Sequence, residues 1–223
     1  MSEGLFQLDI IEGDQIVNAQ SRESASASTD DLSVFEMKSR GIWPLSWLAG
    51  KGLIEPLTVM AQKLNRPLIG LEIGVCRGEN IVHLLDTVPQ IGRIDCMDPF
   101  VPFQDWNGPV GESRIEKDYQ LSLSNLQPYG TRVRFLRETS EDAWKTLKAE
   151  WYDWIFVDGL HTQENCLQDL TLYYPNIREG GLVAGHDYYL NEIREAVTLF
   201  RNQKNITASL QFCDTQAWYW VKA

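Results

Sequence analysis

Leu68-Ile69-Gly70-Leu71-Glu72-Ile73-Gly74-Val75-Cys76-Arg77-Gly78-Glu79-Asn80 runs from an apolar strand through a glycine-spaced turn into the start of a helix. Gly74 and Gly78 permit backbone conformations and close approaches that a side chain blocks, and the helix that follows offers unpaired N–H groups above the strand end. The turn is therefore suited to a small ligand. It departs from the dinucleotide pattern G-x-G-x-x-G, because Cys76 stands where the second glycine belongs. Glu72 beside the turn also disfavours a pyrophosphate and suits a cationic group such as an amino-acid ammonium.

Outward from this turn the chain alternates strands and helices, the pattern of a parallel sheet covered on both faces. Strands are expected at 68–73, 91–97, 132–137, 153–158 and 181–186, with helices near 78–87, 113–126, 140–149, 162–175 and 190–202. Two aromatic-rich runs, 206–212 and 217–221, flank the polar turn Asp214-Thr215-Gln216 and predict a closing antiparallel hairpin. The fold class is α/β, a Rossmann-like doubly wound sheet of seven strands. Residues 1–20 alternate loosely, as a short strand or an arm on a neighbouring subunit of a homo-oligomer. Residues 21–30 are small and polar and read as a linker, so 1–40 form an extension and 41–223 the domain. The apolar stretch 43–48 reads as cover for the sheet, a wall of the pocket or a subunit contact, and 100–112 as a lid insertion carrying Phe100, Phe103 and Trp106.

Composition narrows the partners. The 223 residues carry a net charge of −11, which repels phosphate backbones and anionic lipid, so neither nucleic acid nor membrane is expected. No apolar run reaches the roughly 20 residues of a membrane span, and the N-terminus lacks a secretory pattern, so the expected location is cytoplasmic. The four cysteines are widely spaced, as in a reduced protein with mostly buried thiols.

In doubly wound sheets, ligands bind outside the carboxyl ends of the strands, which brings the strand-terminal polar residues together. Asp98 lies about 20 residues beyond the glycine turn, where an acid receives ribose hydroxyls, and so points to an adenosine ligand. Asp95, within that strand, reads as structural or solvent-facing. Ser140 caps a helix start, and Ser140 with Glu141 lies beside the adenine edge in the functional reading. Two of the three histidines sit beside aspartates at strand ends, in Asp158-Gly159-Leu160-His161 and His186-Asp187, whereas His83 lies within a helix. Asp158 and Asp187 suit a hard divalent cation such as Mg²⁺, and His161 or His186 suits a general base.

These stretches resemble the class I S-adenosylmethionine-dependent methyltransferases over residues 65–223. Residues 71–78 look like their first motif, Asp98 like their ribose-binding acid, and the terminal hairpin like their sheet edge. More narrowly, 156–170 with 180–188 is similar to the family containing cephalosporin hydroxylase-like and macrocin-type O-methyltransferases. The resemblance implies a methyl transfer from S-adenosylmethionine to a hydroxyl of a small-molecule acceptor, a sugar or natural-product scaffold, assisted by Mg²⁺. Glu72, Gly74, Cys76, Gly78, Asp98, Ser140, Glu141 and Asp158 would hold the donor. Asp158, Asp187 and His186 match the family's metal acids, with His186 where an acid is usual, so His186 is either a ligand of a softer ion or the base. The alternatives are a metal-free N-methyltransferase and a non-catalytic nucleoside-binding or scaffold protein.

Overall fold

A computed structural model describes residues 10–12, 15–16, 51–105, 108–213 and 216–223. After β1 (Ile10–Glu12), β2 (Gln15–Ile16) and α1 (Lys51–Leu64), the chain alternates β3 (Leu68–Ile73), α2 (Glu79–Thr87) and β4 (Ile91–Met97). A small hairpin, β5 (Phe103–Asp105) and β6 (Gly108–Val110), leads into α3 (Glu112–Leu126) and β7 (Val133–Leu136). The rest comprises α4 (Ser140–Ala143), β8 (Tyr152–Val157), α5 (Gln163–Tyr173), β9 (Ile177–Gly185), α6 (Asn191–Gln203), β10 (Gln211–Phe212) and β11 (Trp218–Val221).

The main sheet runs β10-β11-β9-β8-β3-β4-β7-β1-β2. All seven expected strands are in it, and β1 and β2 extend it to nine, β1 pairing parallel to β7 with Ile10 opposite Phe135. Strand order reverses between β3 and β8, which opens the crevice at their carboxyl ends. Every residue of β8 is buried because helices cover both faces of a central parallel strand. Trp154 and Phe156 face the core formed with α1, α2 and α3, while Ile155 and Val157 face the one formed with α4, α5 and α6.

The hairpin inserts its last strand inward: β11 lies antiparallel to β9, with Trp218 opposite Gly185. A Cβ on Gly185 would sit 2.3 Å from the Trp218 ring, so glycine is required for that indole to lie flat. Trp218 stacks on Trp220 at 5.4 Å. Two ionic clusters anchor the sheet. Asp95 is fully buried and accepts from Arg93, Arg134 and Tyr152, which makes it structural. Asp153 accepts from Arg66, Arg178 and the Ile69 backbone, holding β3 and β8 together at their other end.

Two elements are shorter than their sequence period implies. The helix expected over 140–149 stops at Ala143 and a single 3₁₀ turn, because Asn176 and Arg178 capture the carbonyls of Lys148 and Glu150 and hold that stretch out of the helix. The strand expected over 206–212 is only Gln211–Phe212, since Ile206, Ala208 and Leu210 pack on the core and Arg201 bonds the Ala208 carbonyl. Cys96 and Cys166 are buried as expected, but Cys76 is exposed and Cys213 half-buried. The insertion after β4 carries the β5–β6 hairpin, rooted by Phe100, which is buried against Tyr119. Trp106, the linker at 21–30, the stretch 43–48 and the domain boundary near residue 40 lie outside the described residues. Among the described residues no helix is long and apolar enough to cross a membrane.

Candidate active site

Backbone hydrogen bonds stitch the strand ends into one rim. Gly74 N donates to Met97 O (2.9 Å), Asp98 N to Leu136 O (3.2 Å), Asp158 N to Ile73 O (2.8 Å) and His186 N to Val157 O (3.2 Å). The polar residues that follow β9, β8 and β4, together with Glu72 near the end of β3, therefore stand in a row on the same side of the sheet. Gly74, Cys76 and Gly78 all have positive φ, at 87°, 49° and 75°. A Cβ on Gly74 would lie 2.1 Å from the Asp158 carbonyl oxygen, so the turn presses directly on the next strand's loop. Cys76 thus adopts the left-handed geometry that the missing glycine would have taken freely.

The two acids flanking the turn are engaged differently. Asp98 Oδ2 accepts from the backbone N–H of Val75 and Cys76, both at 3.0 Å, and Oδ1 from that of Phe100 at 2.8 Å. Three of its roughly four acceptor positions are used by its own loops, which leaves room for one further donor. Burial raises its pKa against these three bonds. Glu72 is 1% exposed and accepts from Asn80 Nδ2 at 2.8 Å. Burial first, and then the nearby Asp158 carboxylate, holds it well above the usual glutamate range. Among the described residues the Asn80 amide oxygen beside it is buried and has no hydrogen-bond partner.

At the other end of the rim, His161 Nε2 lies 2.8 Å from Asp187 Oδ2, and His186 Nδ1 lies 3.2 Å from Asp187 Oδ1 and 3.8 Å from Asp158 Oδ1. One ligand atom from each of Asp158, His161 and Asp187 falls within 4.8 Å of the others, an arrangement able to hold a metal ion. Burial, reinforced by the Asp187 charge and opposed by the imidazoles, pushes Asp158 up to about 7. Asp187 is also desolvated, but hydrogen bonds from both histidines hold it well below the usual aspartate range. It sits at φ 56°, a conformation aspartate tolerates better than most residues.

The methyltransferase domain family model matches residues 71–188, more than half of the chain and the whole rim from Glu72 to Asp187. The chain belongs to the methyltransferase domain family. Its fold is that of the class I S-adenosylmethionine-dependent methyltransferases. The solved structure of the O-methyltransferase NovP is 22% identical, with a TM-score of 0.59 over 76% of this chain and 78% of that one. An O-methyltransferase from Bacillus cereus, solved in complex with SAH, is 18% identical, with a TM-score of 0.56 over 85% of this chain and 89% of that one. No curated protein sequence matches the chain.

Within the methyltransferase, Glu72, Asp98, Asp158 and His186 occupy one rim, whereas Ser140 and Glu141 have partners on the helix after β8. Ser140 is the first residue of α4 rather than its cap; the preceding Thr139 holds the cap position, and its hydroxyl donates to Asp142. Ser140 instead hydrogen-bonds Asp169, a buried acid of α5 whose pKa burial raises to about 6. Glu141 is exposed and accepts from Gln168. The trio of convergent ligand atoms includes His161, while His186 Nδ1 stands beside the same two carboxylates.

Two further site residues carried no motif in the sequence. Tyr189 hydrogen-bonds Asp187 while half of its surface stays exposed, and its only signal was its place just after His186-Asp187-Tyr188. Trp218 Nε1 donates to the His186 carbonyl at 3.0 Å, which ties the hairpin to the site.

Proposed function

We propose that this methyltransferase transfers the methyl group of S-adenosylmethionine to a hydroxyl of a small molecule, a sugar or natural-product scaffold, with a divalent cation such as Mg²⁺ at the acceptor end. The observation that carries this reading is the convergence of Asp158, His161 and Asp187 on a rim shared with the glycine turn. The donor fits this rim: Glu72 and the unsatisfied Asn80 oxygen together suit an ammonium, and Asp98 retains one acceptor position for a ribose hydroxyl. Gly74, Cys76 and Gly78 shape the floor, and Ser140 with Glu141 borders the adenine. Both structural neighbours described above are O-methyltransferases, which supports oxygen as the acceptor atom.

Two carboxylates and one imidazole form a donor set that accommodates hard to borderline divalent ions. Asp158, His161 and Asp187 would hold the ion, which when bound lowers the pKa of a hydroxyl. Asp187 also fixes His186 through Nδ1, so the imidazole is oriented and made more basic to take the acceptor's proton. As the oxygen–carbon bond forms, the carbon–sulfur bond breaks and a neutral thioether leaves. The chain's task is to align the two substrates, and proximity supplies much of the acceleration.

Calorimetry with S-adenosylhomocysteine on the wild type and Asp98→Ala tests the donor half. Binding to the wild type that weakens tenfold or more in the variant is expected, and no binding to the wild type refutes it. Turnover on a panel of hydroxyl acceptors is expected to stop in EDTA and return with added Mg²⁺. Methylation of amines that survives both EDTA and loss of His161 and His186 would instead establish a metal-free N-methyltransferase.

A further inference from the structure

We infer that Asp118, on α3, is a positioning residue for the donor turn, acting through Arg77; the inference rests on the donor reading above. Asp118 is 5% exposed and lies 41 residues from Arg77 in sequence, with no motif to announce it. Its Oδ1 accepts from Arg77 Nε at 2.7 Å and its Oδ2 from Arg114 Nε at 2.6 Å. Further along the helix, the buried Asn125 donates through Nδ2 to the Arg77 carbonyl at 2.9 Å. Leu126 then fills the space beside Gly78, where an added Cβ would come within 2.9 Å of its side chain. Arg77 is thus gripped by side chain and carbonyl from a single helix.

The grip matters because of the backbone on either side. Cys76 at φ 49° and Gly78 at φ 75° flank Arg77, and a left-handed non-glycine residue persists only where its surroundings over-determine it. Asp98 constrains the turn from the sheet side by accepting from Val75 and Cys76. Asp118 and Asn125 constrain it from the opposite side.

The helix itself is held independently of the turn. Its Tyr119 packs on Phe100 at 4.8 Å, and Arg137 at the end of β7 lies 4.1 Å above the same ring. Loss of Asp118 therefore frees the Arg77 side chain and loosens the turn on that side while leaving α3 in place. The acceptor end, at Asp158, His161 and Asp187, is carried by the ends of β8 and β9 rather than by α3.

Asp118→Asn is expected to weaken S-adenosylhomocysteine binding about tenfold and raise KM for S-adenosylmethionine to match, with kcat within about twofold, in the range seen when a supporting partner is removed. In an Arg77→Ala background, the same substitution is expected to cost less than about twofold more, because the two side chains act as one unit. An unchanged affinity in Asp118→Asn, with or without a lowered melting temperature, overturns the inference, as does a fall in kcat at constant KM. Should Asp118→Asn not fold, Arg77→Gln breaks the same pair and carries the same expectation. Failure of the wild type to bind S-adenosylhomocysteine would refute the donor reading itself, whereas equal binding by wild type and variant refutes only the role of Asp118.

Discussion

His161 Nε2 lies 2.8 Å from Asp187 Oδ2, joining the loop after β8 to the turn after β9. These two residues, far apart in sequence, meet because β8 and β9 are parallel neighbours, Val157 opposite Gly185, so both strand ends stop at the same height. The contact brings His161 into the trio with both carboxylates, and His186 Nδ1 stands beside the same two acids, 3.2 Å from Asp187 Oδ1 and 3.8 Å from Asp158 Oδ1. In the proposed cation site His161 is a ligand and His186 orients the carboxylates, so His161→Gln is expected to weaken cation binding about a hundredfold and His186→Gln about tenfold. Mn²⁺ titration of the three proteins followed by magnetic resonance measures this. Equal losses, or a larger one in His186→Gln, would show that His186 rather than His161 completes the cation site.

In the proposed donor site, Glu72 links binding to pH. Its folded pKa is raised by burial and by Asp158, so the native state keeps a proton that the unfolded chain loses near the ordinary glutamate value of about 4.3. Its contribution to stability is full below that unfolded value and is lost as pH rises through the folded one. Glu72→Gln is therefore expected to raise the melting temperature at pH 8 and to leave it near wild type at pH 4. The same variant loses the charge that meets the donor ammonium, with affinity for S-adenosylhomocysteine falling about tenfold to a hundredfold. Wild-type binding at pH 7 should release a proton, visible as buffer-dependent heat. A variant less stable than wild type at pH 8 and binding normally would contradict both halves.

Gly74 is the position where the backbone leaves no room. With φ 87° and the Asp158 carbonyl oxygen 2.1 Å from where a methyl would stand, Gly74→Ala must both strain its own backbone and push away the loop that carries Asp158. A loss of about 2–5 kcal/mol in chemical denaturation is expected, together with loss of cation binding at Asp158. A protein of wild-type stability would mean that the turn and the loop are not in contact.

The glycine turn, the buried strands and the acids at their ends were readable because each is a local property. A buried parallel strand is apolar throughout most of its length, as in Tyr152–Val157, and a positive-φ turn calls for glycine, as at Gly74 and Gly78. The central strands β3, β4, β7, β8 and β9 follow from this, whereas the short α4 and the truncated β10 do not, because Asn176, Arg178 and Arg201 act on them from elsewhere in the chain.

The sequence by itself determined the alternation of strand and helix, the glycine turn proposed as the floor of the donor site and the acids and imidazoles at the strand ends, since hydrophobic period and backbone permissiveness are written residue by residue. Only the tertiary structure decided how those groups pair: that three acceptor positions of Asp98 go to backbone N–H groups of two loops, that His161 joins His186 beside the two carboxylates, and that Asp118 reaches Arg77 from a different helix. Hydrogen bonds and ion pairs act over about 3 Å. Which partners come that close depends on strand register and helix packing that no short stretch of sequence encodes.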